Sequence, residues 1–242
     1  MLKNFIRKAI DRAGVTMYRN HVLPVGTDYR KTLRRLEGTE SFKTVFDVGA
    51  NVGQFCIACN EILDRSKIYS FEPVESTFQI LQSNTAGISN IECSPIGFGD
   101  QPQTINMYLH DLSTINSVSS QANVPRTEGQ KTQLVKIVRL DDFCKDRGIE
   151  QIDLLKIDVE GFDLNVLQGA TRMLSERKVR YIFIEVTFDT ADAHHVSYQE
   201  IADFLAPYNF KIHGFYNQNL FLGSPVMNYC DALFHLQPAI EK

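Results

Sequence analysis

The chain has 242 residues, 43% of them hydrophobic and 22% charged, with a formal net charge of −4. That length accommodates one α/β core with a small appendage; no repeat, low-complexity stretch or signal-peptide core is visible, and no apolar run approaches the roughly 20 residues needed to cross a bilayer. Charge is uneven: residues 1–35 hold nine Lys or Arg against two Asp, a net of +7 that leaves −11 for the rest, and an acidic main body does not favour nucleic-acid binding.

Leu2, Phe5, Ile6, Ala9, Ile10 and Ala13 fall at helical spacing, with Lys3, Arg7, Lys8 and Arg12 between them. This predicts a basic amphipathic helix ending near Gly14. Two placements are open for it: packed on its own domain with the charges in water, or lying on an anionic membrane surface. Residues 21–26 read as a loop and 28–36 as a second basic helix. The expected division is therefore a basic helical appendage over 1–40 and a main domain over 41–242.

The main domain opens on Val45, Phe46 and Val48, an apolar run suited to a buried parallel strand. Asp47 sits inside it, and the turn that follows reads Asp47-x-Gly49-x-Asn51-x-Gly53 before a helix over 54–63. Glycines let backbone approach a ligand, and a helix N-terminus offers free N–H groups. The next strand, 67–71, ends in Glu72-Pro73. An acid at the end of the second strand of a βαβ unit can accept hydrogen bonds from both ribose hydroxyls, so the unit is expected to bind an adenosine-like ligand. The spacing is not that of a dinucleotide fingerprint, and no phosphate loop of the G-x-x-x-x-G-K-[ST] type is present. An acid at 47 would repel a pyrophosphate and suit the cationic sulfonium and amino group of S-adenosylmethionine. The plain alternative is an ordinary turn with a chance acid, against which the second acid at Glu72 weighs.

Cys56 and Cys59 form C-x-x-C within the helical segment, with no second pair to complete a zinc site. They read as buried thiols, and five cysteines without a framework suggest a reducing, cytoplasmic setting. A helix is expected over 75–84 and a third strand over 91–96, followed by Gly97-Phe98-Gly99-Asp100. Ligands sit beyond strand carboxyl ends in such sheets, so Asp100 is a candidate for the adenine edge. Phe98 is either a base-packing ring or an ordinary loop residue. Strands are expected over 104–109 and 134–138, with the polar stretch 111–120 between them as a hairpin or flap over the site. A helix beginning at 139–143 is expected to carry an acid at its N-cap.

Leu154, Leu155 and Ile157 mark a further core strand, with Lys156, Asp158 and Glu160 alternating at and beyond its end. Charges there are costly without a partner or a task. A helix over 164–174 with Gly169 inside it, a strand over 181–186 containing Glu185, a helix over 197–205 and an antiparallel pair over 210–215 and 232–236 complete the chain.

Taken in order, Asp-Val-Gly-Ala-Asn-x-Gly at 47–53, Phe-Glu-Pro at 71–73, Arg-Leu-Asp-Asp-Phe at 139–143, Leu-Lys-Ile-Asp-Val-Glu-Gly-Phe at 155–162 and Ile-Glu-Val at 184–186 resemble the FkbM family of S-adenosylmethionine-dependent methyltransferases. The resemblance covers roughly residues 42–215. It implies a class I (Rossmann-like) α/β methyltransferase fold: a seven-stranded, mostly parallel sheet with an antiparallel last strand. It also implies O-methylation of a hydroxyl on a saccharide or natural-product acceptor. By position, Asp47, Gly49, Asn51 and Gly53, with Ala50 among them, would line the methionine and ribose end of the cofactor. Glu72, beside Pro73, would hold the ribose, and 158–161 would face the substrate. Most methyltransferases carry Gly where Asn51 stands, a departure the family shares.

An aliphatic hydroxyl needs a base or a metal ion to attack a methyl group. Asp158 or Glu160 is expected as the base, with Lys156 steering the carboxylates or the acceptor, and Glu185, His194 and His195 as second candidates. The competing readings are an internal Lys156–Glu160 ion pair and a divalent ion on Asp158, Glu160 and Glu185; no metal site is assigned. Among other function classes, a non-catalytic scaffold in a polysaccharide assembly complex would call for a degenerate cradle. An NAD enzyme is disfavoured by the glycine spacing, and nucleic-acid methylation by the absence of an Asn-Pro-Pro-Tyr tetrad.

Overall fold

The computed structural model describes residues 24–109, 117–118, 131–189, 192, 195–220 and 226–238. The expected helix over 2–13, most of the 111–120 stretch and His194 lie outside these.

In chain order the elements are α1 (Tyr29–Glu37), β1 (Thr44–Val48), α2 (Gln54–Ile62), β2 (Lys67–Phe71), α3 (Glu75–Thr85), β3 (Ile91–Ser94), β4 (Gly97–Phe98), β5 (Gln103–Tyr108), β6 (Ser117–Val118), β7 (Thr132–Val138), α4 (Leu140–Arg147), β8 (Ile152–Ile157), α5 (Asp163–Gln168), α6 (Thr171–Ser175), β9 (Val179–Thr187), α7 (Tyr198–Leu205), β10 (Phe210–Leu220) and β11 (Met227–Leu236). The main sheet has seven strands in the order β10-β11-β9-β8-β1-β2-β3. Its centre is parallel, with Val45 opposite Leu154 and Phe46 opposite both Leu155 and Tyr69. Every residue of β8 is buried, as expected where helices cover both faces. β11 runs antiparallel to both β9 and β10, so the single reversed strand is the last one in sequence.

Alternation along the strands splits the core in two. Phe46, Val48, Phe71, Leu155 and Ile157 pack on one face, while Val45, Ile68, Leu154 and Tyr181 pack on the other. The second face also receives α1. Asp28 caps that helix, accepting from Arg30 N at 2.9 Å. Leu33 is buried in it, Thr32 Oγ1 accepts from Tyr216 Oη at 3.0 Å, and the Tyr29 ring stacks on Phe55. The described part of the basic appendage is therefore docked on the sheet.

Three expectations are corrected, for the strand over 91–96, the helix over 164–174 and the acid N-cap, while the strands over 104–109 and 134–138 form as expected. The strand foreseen over 91–96 ends at Ser94: Pro95 has no N–H to give the ladder, and the chain leaves for a second, four-stranded sheet ordered β4-β7-β5-β6. The strands foreseen over 104–109 and 134–138 pair with each other in that second sheet. The helix foreseen over 164–174 is two helices, α5 and α6, broken at Gly169, where a Cβ would lie 2.1 Å from Gly99 O. The N-cap of α4 is Arg139, not an acid. Asp141 in its first turn is buried and accepts from Arg172 N and Met173 N at 2.8 and 3.0 Å, so the carboxylate caps α6 instead. Among the described residues no helix is long and apolar enough to cross a membrane.

Candidate functional site

The turn after β1 is shaped by its neighbours. Gly49, Asn51 and Gly53 all have positive φ, at 76, 47 and 94°. A Cβ on Gly49 would sit 1.8 Å from Asp158 O, so the glycine is required by the close approach of the β8 end. The N–H groups of Gly49 and Ala50 both donate to Phe71 O, at 3.0 and 2.9 Å, which fixes the turn against β2. Gly53 then caps α2.

A first cavity opens beside this turn. Gly49 and Asn51, Glu72 and Pro73, and Asp158 and Glu160 line it. Glu72 is 7% exposed, with Oε2 accepting from Asn51 N at 3.1 Å and Oε1 from Val74 N at 2.9 Å. Burial pushes its carboxyl up to about 7, against those two N–H bonds. Each carboxylate oxygen has a second lone pair for a ligand hydroxyl. The apolar part of the lining comes from the second sheet, through Ile105, Met107 and Ile137. The alternation of β5 and β7 carried that signal, but nothing in the sequence said which face was turned to the site. Phe98 touches this cavity, yet it is 1% exposed and meets the Phe71 ring edge-on at 4.6 Å, so it is first a core residue. Asp100 is not brought to the cavity: β4 carries it to α5, where Oδ1 meets Asn165 Nδ2 at 3.5 Å.

Asp47 and Lys156 stand opposite each other in the β1–β8 register. Lys156 Nζ lies 3.3 Å from both Asp47 Oδ1 and Asp158 Oδ2 and donates to Gly49 O at 2.9 Å. Burial acts to lower the ammonium's pKa, but the charges of Asp158 and Asp47 raise it and prevail. Asp47 is fully buried, and burial raises its carboxyl while Lys156 lowers it. Expected to face a sulfonium, Asp47 here meets Lys156 beneath the turn and is not among the residues lining either cavity. Lys156 ties together both strand ends and the turn, in place of the considered pair with Glu160.

Beyond β8 the chain bends sharply, with Glu160 at φ 52° and Gly161 at 85°. Buried Asp163 holds the bend by accepting from Val159 N and Gly161 N at 3.3 and 3.1 Å. Glu160 is pushed up to about 8 by burial and by repulsion from Asp158 and Glu185. His195 is engaged on both nitrogens: Nε2 is 3.0 Å from Glu185 Oε2 and Nδ1 is 2.7 Å from Asp192 Oδ2. Burial would lower it, but these carboxylates raise it to about 9. Both ring nitrogens are thus engaged by carboxylates, and the ring stacks on Tyr229. Among the described residues no group of three or more His, Cys, Asp or Glu is arranged to hold a metal ion. Cys56 and Cys59 are buried, and burial pushes the Cys56 thiol to about 12.

A second cavity lies against the same turn, with Tyr29, Gln54, Phe55, Lys156, Asn217 and Asp231 in its walls. Of these only Lys156 was singled out by sequence. A lone Asp within the apolar run of β11 was the available signal for Asp231.

The strand order, with one reversed strand between β9 and β10, defines a class I methyltransferase fold. The crystal structure of Methyltransferase FkbM from Methylobacillus flagellatus KT has the same fold, with a TM-score of 0.52 at 19% identity over 81% of this chain and 43% of that one. The model of the methyltransferase FkbM domain matches residues 47–212, and the chain belongs to that family. Curated relatives include Methyltransferase sdnD of Sordaria araneosa, 30% identical over 52% of this chain and 59% of that protein. Hexuronic acid methyltransferase AglP of Haloferax volcanii is 24% identical over 62% of this chain and 59% of its own length. The chain thus spans less than two thirds of the curated relatives it matches.

Proposed function

We propose that the chain is an S-adenosylmethionine-dependent O-methyltransferase acting on a hydroxyl of a saccharide or natural-product acceptor. The observation that carries this is that two acids, Glu72 at the end of β2 and Glu160 beyond β8, line one cavity beside the Gly49–Asn51 turn. The residues present fit the cofactor. Glu72 keeps one lone pair per oxygen for ribose hydroxyls, and Ile105, Met107 and Ile137 offer an apolar wall to a purine. When bound, S-adenosylmethionine supplies an electrophilic methyl group on a sulfonium. Glu160 accepts the proton of the attacking hydroxyl, since a carboxylate near 8 is a far stronger base than an ordinary one. Asp158, held by Lys156 at the rim, orients the acceptor. The saccharide class draws on the kinship with a hexuronic acid methyltransferase. A cytoplasmic setting belongs to the same reading; the five cysteines are free.

The test is transfer of labelled methyl from S-adenosylmethionine to a panel of hydroxylated glycans and natural products, with Glu160→Gln alongside. Transfer should fall by about 100-fold or more in the variant, with cofactor affinity retained. In the wild type the rate should rise with pH through about 8 as Glu160 ionises. Unchanged transfer in Glu160→Gln would remove the base assignment.

A further inference from the structure

The second cavity shares Gly49, Asn51 and Asp158 with the first, so the two lie against the same turn. Its walls differ in charge. Gln54 and Phe55, the first residues of α2, bring a helix N-terminus to it, and that electropositive end favours a carboxylate. Asp158 and Asp231 bring carboxylates. Asp231 stands opposite Glu185 in the β9–β11 register, so the two project from the same face of the sheet. Its Oδ2 accepts from Asn217 Nδ2 at 2.6 Å. Lys156, the cation that reaches this space, is already shared by Asp47 and Asp158. The acidic wall is therefore short of positive charge: burial and repulsion from Glu185 and Asp158 push Asp231 up to about 7, against the Asn217 bond and Lys156.

An acidic wall facing a helix N-terminus fits a zwitterion, with an ammonium on one side and a carboxylate on the other. An α-amino acid group has that form. We propose that Asp231, held by Asn217 and lying outside the family-matched residues 47–212, binds the ammonium of the cofactor's aminoacyl tail, with the N-terminus of α2 facing its carboxylate. This rests on reading the first cavity as the nucleoside site. It goes further by giving the last two strands a share in cofactor selection.

The experiment is calorimetric titration of the full chain with S-adenosylhomocysteine and with 5′-methylthioadenosine, which lacks the aminoacyl tail. Wild type, Asp231→Asn, Asn217→Ala and Glu72→Ala are compared. Asp231→Asn should weaken S-adenosylhomocysteine by about 10-fold or more, the range for losing a charged hydrogen bond, and leave methylthioadenosine within about two-fold. Asn217→Ala, which frees the carboxylate without deleting it, should weaken only the tailed ligand and by less. Glu72→Ala should weaken both. Equal affinity of Asp231→Asn and wild type for S-adenosylhomocysteine would overturn the inference alone, as would equal losses for the two ligands. Failure of the wild type to bind either ligand would defeat the cofactor reading, and this inference with it.

Discussion

Lys156 is the residue on which the site's geometry turns. It is nearly buried, pairs with Asp47 and Asp158, and donates to Gly49 O. Removing it leaves the fully buried Asp47 uncompensated. Breaking a buried pair from one side typically costs about 3–5 kcal/mol. Lys156→Met should therefore lower unfolding stability in urea by about that amount, and the Lys156→Met/Asp47→Leu double variant should recover much of it. A single variant as stable as wild type would show that the pair does not hold the strand ends. The sequence showed that a lysine lay at the end of an apolar strand and so needed a partner. It could not show which acid answered, because that depends on the β1–β8 register, which sets Asp47 beside Lys156 while Glu160 lies beyond the end of β8.

At the scale of elements, the units with a single strong pattern were legible. β1, its glycine turn and α2, then β2 with Glu72, follow local rules that the structure keeps. What escaped was set by contacts between distant segments. The break between α5 and α6 comes from Gly169 closing on Gly99, and the capping task of Asp141 from α6 arriving beside α4. Both act at one junction, where Gly169 O also accepts from Asp141 N at 3.0 Å. The second sheet was legible as strands but not as a sheet. Only the departure of the chain after Ser94 turns Ile105, Met107 and Ile137 toward the cavity. For Asp231, a charge in an apolar strand was visible, but its neighbours came from β9 and β10.

Over the whole molecule, the carboxyl edge of the main sheet carries a surplus of acids, and this sets the response to pH. Glu72, Asp163 and Asp231 are raised to about 7 and Glu160 to about 8, from ordinary values of 4.5 for Glu and 3.8 for Asp. His195 is raised from 6.5 to about 9. In every case the folded state binds the proton more tightly than the unfolded chain, so stability falls as pH rises. The loss from the carboxyls runs from about 4 to about 8, and that from His195 from about 6.5 to about 9. The ligand-free protein should melt several degrees higher near pH 6 than near pH 8.5, on the order of 5 °C. A melting temperature that climbs across that window would contradict the raised values. A cationic ligand at the same edge should reduce the slope, because it favours the ionised acids.

The central claim is that the cavity beside the Gly49–Asn51 turn holds S-adenosylmethionine through Glu72. Its most direct test is calorimetric titration of the wild type and Glu72→Ala with S-adenosylmethionine and, separately, with NAD. The account predicts saturable binding of S-adenosylmethionine that weakens by about 10-fold or more in the variant, and no binding of NAD. Absence of S-adenosylmethionine binding, or binding of NAD in its place, would contradict it.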